Sequence, residues 1–373
     1  MKVMTIVGTR PELIKLSRVI AELDAHLSHV LVHTGQNFDY ELNKIFFEQL
    51  EIRKPNYFLE IAAETPAQAI ANVIGKSDEV LDKEKPDALL LLGDTNSCLS
   101  AIAAKRRKIP VFHMEAGNRC FDERTPEEIN RKIVDHLSDV NLPYSEHARR
   151  YLLAEGLKAE TVIKTGSPMR EVLQYYMPKI ERSGILQELD LTPDSYFLVS
   201  AHREENVDPP ENLAALLESI KALGETYRSP IIVSTHPRTR KRIQALGKVD
   251  TGQQVRFLKP LGFLDYVKLQ VHARCVISDS GTITEESSIL GFPAITVRNT
   301  HERPEGMDEG TLIMSGLRSA DVLKSIEVTL AHHGKGARAF RMAPDYEPDN
   351  VSKKIVRIIL SYVGYVNRYT WHR

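Results

Sequence analysis

Residues 1–16, MKVMTIVGTRPELIKL, decide the fold class of this chain. The apolar run Lys2–Val7 is typical of a strand buried in a parallel sheet. Gly8 and Thr9 predict a tight turn, and Pro11 suits the first turn of a helix, where its missing N–H costs no hydrogen bond. A strand that leads through a tight turn into a helix favours an α/β fold.

Two basic residues, Arg10 and Lys15, lie at the start of this helix. The free N–H groups and the dipole of a helix N-terminus favour an anion. With two cations added, the segment predicts a diphosphate or a carboxylate ligand. An ordinary βα turn with two solvated basic residues is the alternative reading.

Short apolar runs that favour strands alternate with helical stretches along the whole chain. The predicted strands of the first half are Lys2–Val7, Val30–Thr34, Ala88–Leu92, Val111–Met114, Val140–Leu142 and Thr161–Lys164. Those of the second half are Tyr196–Ser200, Ile231–Ser234, Val255–Leu258, Cys275–Ser278, Ala294–Val297 and Thr311–Met314. Helices are predicted between them, for example Thr95–Lys105. This alternation predicts an α/β protein with two doubly wound, Rossmann-like domains facing a central cleft.

The 373 residues are too many for one compact α/β core, which also indicates two domains. We place the first domain at residues 1–167 and the second at 168–350, with the boundary near the Gly-Ser-Pro turn at 166–168. A last helix within residues 351–373 is expected to pack back on the first domain.

The composition of the chain argues against two classes of binding partner, nucleic acid and membrane surfaces. A formal net charge of −1 provides no broad positive field for nucleic acid or a membrane surface. The scattered cysteines Cys98, Cys120 and Cys275 fit a reduced, cytoplasmic setting. We expect no signal peptide and no membrane-spanning segment.

The chain lacks the motifs of the common cofactors. No GxGxxG follows a first strand, and no GxxxxGK[ST] occurs. His113 and Glu115 are two residues apart on one strand, but no third metal ligand is evident. We therefore expect no cofactor and no metal.

A second candidate anion site follows the predicted strand Cys275–Ser278. Ser280, Gly281 and Thr282 can present hydroxyl and N–H groups to a phosphate at a helix N-terminus. Glu286, one turn later, is placed to accept sugar hydroxyls, and Arg303 could neutralise the phosphates. The alternatives are a capped helix without a ligand and a loop salt bridge.

Acidic residues follow the strands of the first half. Asp94 and Glu115 come directly after two predicted strands, and Glu127 begins the next helix. Each alone suits a capping role. Together they would repel one another, a cost that is kept where one carboxyl holds a proton and acts as acid or base. His202 ends a strand of the second half and is a candidate ligand or catalytic residue.

Seven segments in order resemble the non-hydrolysing UDP-N-acetylglucosamine 2-epimerases, which share the two-domain GT-B fold of many glycosyltransferases. The segments are VGTRPELIKL, LLGDTNS, HMEAGNR, PEEINR, AHREEN, SDSGTITEES and HERPEG. The resemblance covers nearly the whole chain. It implies a UDP-activated 2-acetamido sugar as substrate and a homodimer. It also implies that Asp94, Glu115 and Glu127 carry catalysis, and that a further set binds UDP: Arg10, Lys15, His202, Ser280, Gly281, Glu286 and Arg303.

The sequence departs from the usual family pattern at Asn118, Cys120 and Phe121, and the segment from Glu115 to Glu127 is short. These departures resemble the UDP-N-acetyl-L-fucosamine synthase branch of capsule and O-antigen pathways. That branch inverts C2 of UDP-2-acetamido-2,6-dideoxy-L-talose. Interconversion of UDP-GlcNAc and UDP-ManNAc is the second reading, and a glycosyltransferase, a hydrolysing epimerase and a UDP-sugar sensor are the rival classes.

Overall fold

The computed structural model describes residues 1–35, 44–246, 250–334 and 340–373. The chain divides into two compact units, Met1–Tyr175 with Asp345–Arg373, and Tyr176–Pro344. The division lies within a helix, Met169–Glu181, just after the Gly-Ser-Pro turn of the sequence.

The helices and strands alternate throughout. The elements up to the division are β1 (Lys2–Val7), α1 (Arg10–His26), β2 (Ser28–His33), α2 (44–49), β3 (Tyr57–Phe58), α3 (Pro66–Glu84), β4 (Ala88–Leu92), α4 (Ala101–Arg106), β5 (Val111–Met114), α5 (Pro126–Leu137), β6 (Val140–Leu142), α6 (Glu146–Ala154) and α7 (Met169–Glu181). The second unit continues with α8 (Ile185–Glu188), β7 (Phe197–Ser200), α9 (Glu204–Val207), α10 (Pro210–Tyr227), β8 (Ile231–Ser234), α11 (Pro237–Ala245), β9 (Val255–Leu258), α12 (Phe263–His272), β10 (Cys275–Ser278), α13 (Ile283–Leu290), β11 (Ala294–Thr296), α14 (Pro304–Asp308), β12 (Ile313–Met314) and α15 (Ser319–His332). The last helix is α16 (Val351–Tyr369), and short 3₁₀ helices occur at Asn96–Ser100, Ala159–Thr161 and Pro344–Tyr346.

Each unit is built on one six-stranded sheet whose paired strands are all parallel. The strand order is β3-β2-β1-β4-β5-β6 in the first and β12-β11-β10-β7-β8-β9 in the second. Counted from its own first strand, each sheet has the order 3-2-1-4-5-6 of a doubly wound Rossmann fold. The predicted α/β class with two Rossmann-like domains is therefore confirmed. The order reverses between β1 and β4 and between β7 and β10, and such sheets bind ligands at the carboxyl ends of these strands.

Apolar clusters cover both faces of the second sheet. Phe197 and Val199 belong to one buried cluster, whereas Tyr196 and Leu198 belong to another. Successive residues of a strand point to opposite faces, so β7 is buried on both sides. This burial explains why the strands of the chain read as continuous apolar runs.

Helix α16 packs on α1 in the first unit. It buries Val351, Ile355, Ile359 and Val363, which recur about once per turn and form one apolar stripe. Along the described residues, no helix combines the length and apolar character needed to cross a membrane.

The structure differs from the sequence prediction at a predicted strand, at the start of a predicted helix, and at β3, which was not predicted. The strand predicted at Thr161–Lys164 is wrong, because only Val162 bridges to Asn141 of β6. Pro143 follows β6 and has no N–H with which to continue that ladder. The helix predicted at Thr95–Lys105 begins instead as the 3₁₀ helix Asn96–Ser100.

Candidate active site

The turn between β1 and α1 is closed by a buried carboxylate. Glu12 Oε2 accepts hydrogen bonds from the backbone N–H groups of Gly8 (2.9 Å) and Thr9 (2.6 Å). Its Oε1 accepts from Ser97 Oγ (2.5 Å) and Thr95 Oγ1 (3.2 Å), beyond β4. Burial raises the pKa of Glu12, against the opposing hydrogen bonds from Ser97 and Thr9. Glu12 thus binds N–H groups of the turn before α1, and it joins the turn after β1 to the turn after β4.

The two cations of this segment have different surroundings. The Arg10 guanidinium lies 4.9 Å from the centre of the Phe46 ring, and burial lowers its pKa. Lys15 is buried, and its Nζ lies 2.5 Å from Glu115 Oε2. Lys15 therefore contacts one of the predicted catalytic acids within the first unit.

The predicted acids lie at the carboxyl edge of the first sheet or beside it. Asp94 follows β4 and forms an ion pair with Nε of Arg131 on α5, at 2.8 Å. Glu115 follows β5 and accepts hydrogen bonds from Lys15 and from Asn118 Nδ2 (3.4 Å). Asp94 and Glu115 thus follow two strands that are neighbours in the sheet.

Glu127 is half-buried in the first turn of α5. Its carboxylate forms no ion pair with the residues that the structure describes. The preceding loop carries left-handed backbone at Glu115 (φ 64°), Gly117 (φ 81°) and Phe121 (φ 56°). At Gly117 a Cβ would lie 2.4 Å from the Ala148 carbonyl oxygen, so only glycine fits there.

Glu128 fixes this loop by accepting hydrogen bonds from its backbone. It is fully buried and accepts from the N–H groups of Cys120 (3.1 Å) and Phe121 (3.2 Å), and it pairs with Arg131 (2.8 Å). Burial alone would raise the pKa of Glu128, but the Cys120 hydrogen bond and the Arg131 charge bring it below its ordinary value. Phe121 itself is 72% exposed, and its ring lies edge-on to that of Tyr151 at 5.3 Å.

In the second unit, Asp279 organises the carboxyl ends of β7 and β10. This buried carboxylate accepts from the backbone N–H groups of His202 and Arg203, both at 2.9 Å, and from Asn206 Nδ2 at 3.1 Å. Burial would raise the pKa of Asp279, but His202 and the other donors lower it. The His202 side chain is 40% exposed, with Nδ1 3.2 Å from Asp279 Oδ1, so it remains accessible to a ligand.

The predicted phosphate loop lies at the N-terminus of α13. Ser280 Oγ and Thr282 Oγ1 are 3.0 Å apart, and a Cβ on Gly281 would lie 3.5 Å from Nη2 of Arg203. Glu302 forms ion pairs with Arg203 (3.3 Å) and with Arg298 (2.5 Å) of the same unit. The loop therefore combines hydroxyls, the positive end of a helix dipole and a nearby guanidinium, as an anion site requires.

The last two predicted residues are buried. Glu286 accepts a hydrogen bond from Gln270 Nε2 at 2.6 Å, and Arg303 Nη2 lies 3.1 Å from Glu285 Oε2. Among the described residues, no cluster of three or more His, Cys, Asp or Glu side chains is arranged to hold a metal ion.

The sequence prediction missed several residues that hold the loops of the site through hydrogen bonds. Glu12 had a local signal, since Thr9 and Glu12 have the spacing of a capping box. Glu128 and Asp279 stand inside the quoted motifs, but which backbone groups they bind depends on the folded loops. Asp135, a buried partner of His113, has no local sequence signal.

Comparison with known proteins assigns the family. The model of the family described as UDP-N-acetylglucosamine 2-epimerase matches residues 21–360. The solved UDP-N-acetylglucosamine 2-epimerase of Rickettsia bellii is similar at 58% identity and a TM-score of 0.94, over 100% of both chains. The UDP-GlcNAc 2-epimerase of Methanocaldococcus jannaschii, solved in complex with UDP-GlcNAc and UDP, is 34% identical with a TM-score of 0.89, over 97% of this chain and 100% of that one.

The UDP-2,3-diacetamido-2,3-dideoxy-D-glucuronate 2-epimerase of Pseudomonas aeruginosa is 34% identical over 337 residues, which are 88% of this chain and 92% of that protein. These similarities confirm the GT-B type of the fold. The chain belongs to the UDP-N-acetylglucosamine 2-epimerase family, and it is an isomerase of the non-hydrolysing 2-epimerase class.

Proposed function

We propose that this protein inverts C2 of a UDP-activated 2-acetamido sugar by removing UDP and adding it back. The observation that carries the proposal is the set of carboxylates at the carboxyl edge of the first sheet. Glu115 is held by Lys15 and Asp94 by Arg131 there. The complex of the Methanocaldococcus relative with UDP-GlcNAc and UDP supports a UDP-sugar as the ligand.

The C2 proton of such a sugar is not beside a carbonyl group, so simple abstraction is very slow. In the proposed elimination, a base takes the C2 proton as the bond from C1 to the diphosphate oxygen breaks. The electron pair of the C2–H bond forms the C1–C2 double bond, and UDP leaves with the pair of the broken C–O bond. Return of a proton to the other face of C2, with addition of UDP at C1, completes a redox-neutral inversion.

This chemistry requires one acid/base group for each face of C2. We assign these tasks to Asp94, Glu115 and Glu127. The ammonium of Lys15 stabilises Glu115 as a carboxylate, the form that accepts a proton.

We assign UDP to the carboxyl ends of β7 and β10 in the second unit. The α13 N-terminus with Ser280, Gly281 and Thr282 supplies N–H and hydroxyl donors for the diphosphate, and donors fixed in advance stabilise a departing anion. His202, Glu286 and Arg303 of the same unit complete this part of the proposal.

For the sugar, we propose UDP-2-acetamido-2,6-dideoxy-L-talose, which becomes UDP-N-acetyl-L-fucosamine. The support is the loop after Glu115, where the sequence departs from the common family pattern. This loop presents Phe121 as an exposed apolar ring, which suits a 6-deoxy methyl group better than a 6-hydroxyl. UDP-GlcNAc is the second candidate, favoured by the named activity of the Rickettsia bellii relative.

The experiment incubates the protein in deuterium oxide with each UDP-sugar and follows C2 by proton NMR. The proposal predicts inversion at C2 with deuterium at that position, and a kcat/KM for the L-talose substrate well above that for UDP-GlcNAc. Better turnover of UDP-GlcNAc would make UDP-GlcNAc the preferred substrate in place of the L-talose sugar. Irreversible release of free sugar and UDP would instead indicate a hydrolysing enzyme, and binding without turnover would indicate a sensor.

A further inference from the structure

A buried histidine connects the two loops that carry Asp94 and Glu115. We propose that His113 and Asp135 form a positioning pair that fixes these two carboxylates relative to each other. The inference rests on the proposed function for its catalytic consequence, but its structural part stands on the geometry of the first unit alone.

His113 lies on β5 and is 1% exposed. Its Nε2 lies 2.8 Å from the Gly93 carbonyl oxygen, which belongs to the peptide bond leading into Asp94. A carbonyl oxygen only accepts, so Nε2 carries the proton of this hydrogen bond. The His113 ring thereby holds the backbone from which the Asp94 side chain projects.

Asp135 on α5 is fully buried and completes the link. One of its oxygens lies 2.9 Å from His113 Nδ1, and the other accepts from the Gly117 N–H at 3.1 Å. Gly117 stands two residues after Glu115, in a loop where both residues have left-handed backbone. Such backbone persists where the surroundings over-determine it, and the Asp135 hydrogen bond is one of those constraints.

A cation keeps Asp135 ionised. Arg119 donates to Asp135 at 2.7 Å and is itself held by both oxygens of Glu155, at 2.8 and 2.7 Å. Burial would raise the pKa of Asp135, but His113 and Arg119 bring it below its ordinary value. The pair is therefore held by hydrogen bonds to Gly93, Gly117 and Arg119, which fix its position between the two loops.

A second His–Asp pair in the same sheet provides the control. His29 on β2 has a fully buried side chain, with Nδ1 2.7 Å from Asp24 and Nε2 2.9 Å from Thr5 Oγ1. It lies near the amino end of its strand, at the edge of the sheet opposite to the acids. Loss of either histidine removes a buried imidazole from a His–Asp pair, although the Asp24 side chain is 30% exposed. Of the two histidines, His113 is the one that contacts a loop carrying a proposed catalytic acid.

The experiment compares His113→Leu with His29→Leu. Both variants should lose stability in chemical denaturation. Only His113→Leu should lower kcat, by about 10²-fold for a displacement of roughly 1 Å, with little change in KM. His113→Gln, which keeps one amide donor for the Gly93 carbonyl, should recover part of that loss.

Hydrogen–deuterium exchange by mass spectrometry supplies a readout that needs no substrate. Peptides covering residues 93–95 and 115–119 should exchange faster in His113→Leu, and keep the wild-type rate in His29→Leu. Unchanged exchange in both loops, or a kcat equal to that of His29→Leu, would overturn the inference. If His113→Leu does not fold, Asp135→Asn takes its place under the same criteria. If the wild type turns over no UDP-sugar, the proposed function fails while the exchange data still decide the positioning role.

Discussion

Lys15 and Glu115 are 100 residues apart in the chain and form an ion pair of 2.5 Å. Their side chains are 5% and 11% exposed, so the pair is nearly dry. Lys15 comes from the second turn of α1, and Glu115 follows β5, two strands away in the sheet. The pair joins the segment that decides the fold to a residue that we assign to catalysis.

Lys15→Met should destabilise the protein by about 3–5 kcal/mol, because it removes the ammonium from a nearly buried ion pair with Glu115. Lys132→Met is the matched control, since Lys132 and Glu123 form an exposed pair whose loss should change the stability little. Urea denaturation measures both values. Equal, small losses in the two variants would show that Glu115 does not depend on Lys15.

Asp94→Asn, Glu115→Gln and Glu127→Gln should each lower kcat by about 10²–10⁴, the usual contribution of a positioned acid or base. UDP affinity should change little, because we assign UDP mainly to the second unit. Glu123→Gln, an exposed carboxylate of the same region, serves as the control. An acid whose replacement leaves turnover at the wild-type level is not catalytic, and its role is then to cap or pair.

Ser280→Ala should weaken UDP binding by about 0.5–1.5 kcal/mol, since it removes one neutral hydrogen bond to the diphosphate. Arg303→Ala should cost about 1.5–3 kcal/mol if its charge meets the phosphates. Arg341→Ala, which removes an exposed partner of Glu309, should have no effect. Calorimetric titration with UDP measures the affinity of all three variants. Wild-type affinity in the first two would show that UDP does not bind at the α13 N-terminus.

The two Rossmann-like sheets were predictable because buried parallel strands leave continuous apolar runs, and because each run is followed by a helical stretch. The placement of Asp94 and Glu115 at one sheet edge followed from the same pattern. The Lys15–Glu115 pair was not predictable, since nothing near either residue in the sequence indicates the other. His113 and Asp135 are likewise 22 residues apart and meet only through the packing of α5 on β5.

Acid should weaken the contact between α9 and α11 through Asp208. Arg238 and Arg242 lower the pKa of Asp208 to about 2, from an ordinary value of 3.8. Because the folded-state pKa is the lower one, the stabilisation is fully present above pH 3.8 and is lost as the pH falls through about 2. The difference in stability between the wild type and Asp208→Asn should therefore shrink below pH 3.8. A difference that stays constant down to pH 2 would contradict this assignment.

The proposed elimination requires that the bond between C1 and the diphosphate oxygen breaks and re-forms in every inversion. A UDP-sugar labelled with oxygen-18 in that bridging position tests it directly, since free rotation of the released diphosphate mixes the label with the other β-phosphate oxygens. Phosphorus NMR should show the label moving to the non-bridging positions during epimerisation with the wild type, and not with Glu115→Gln. Inversion at C2 with the label retained entirely in the bridge would contradict elimination of UDP.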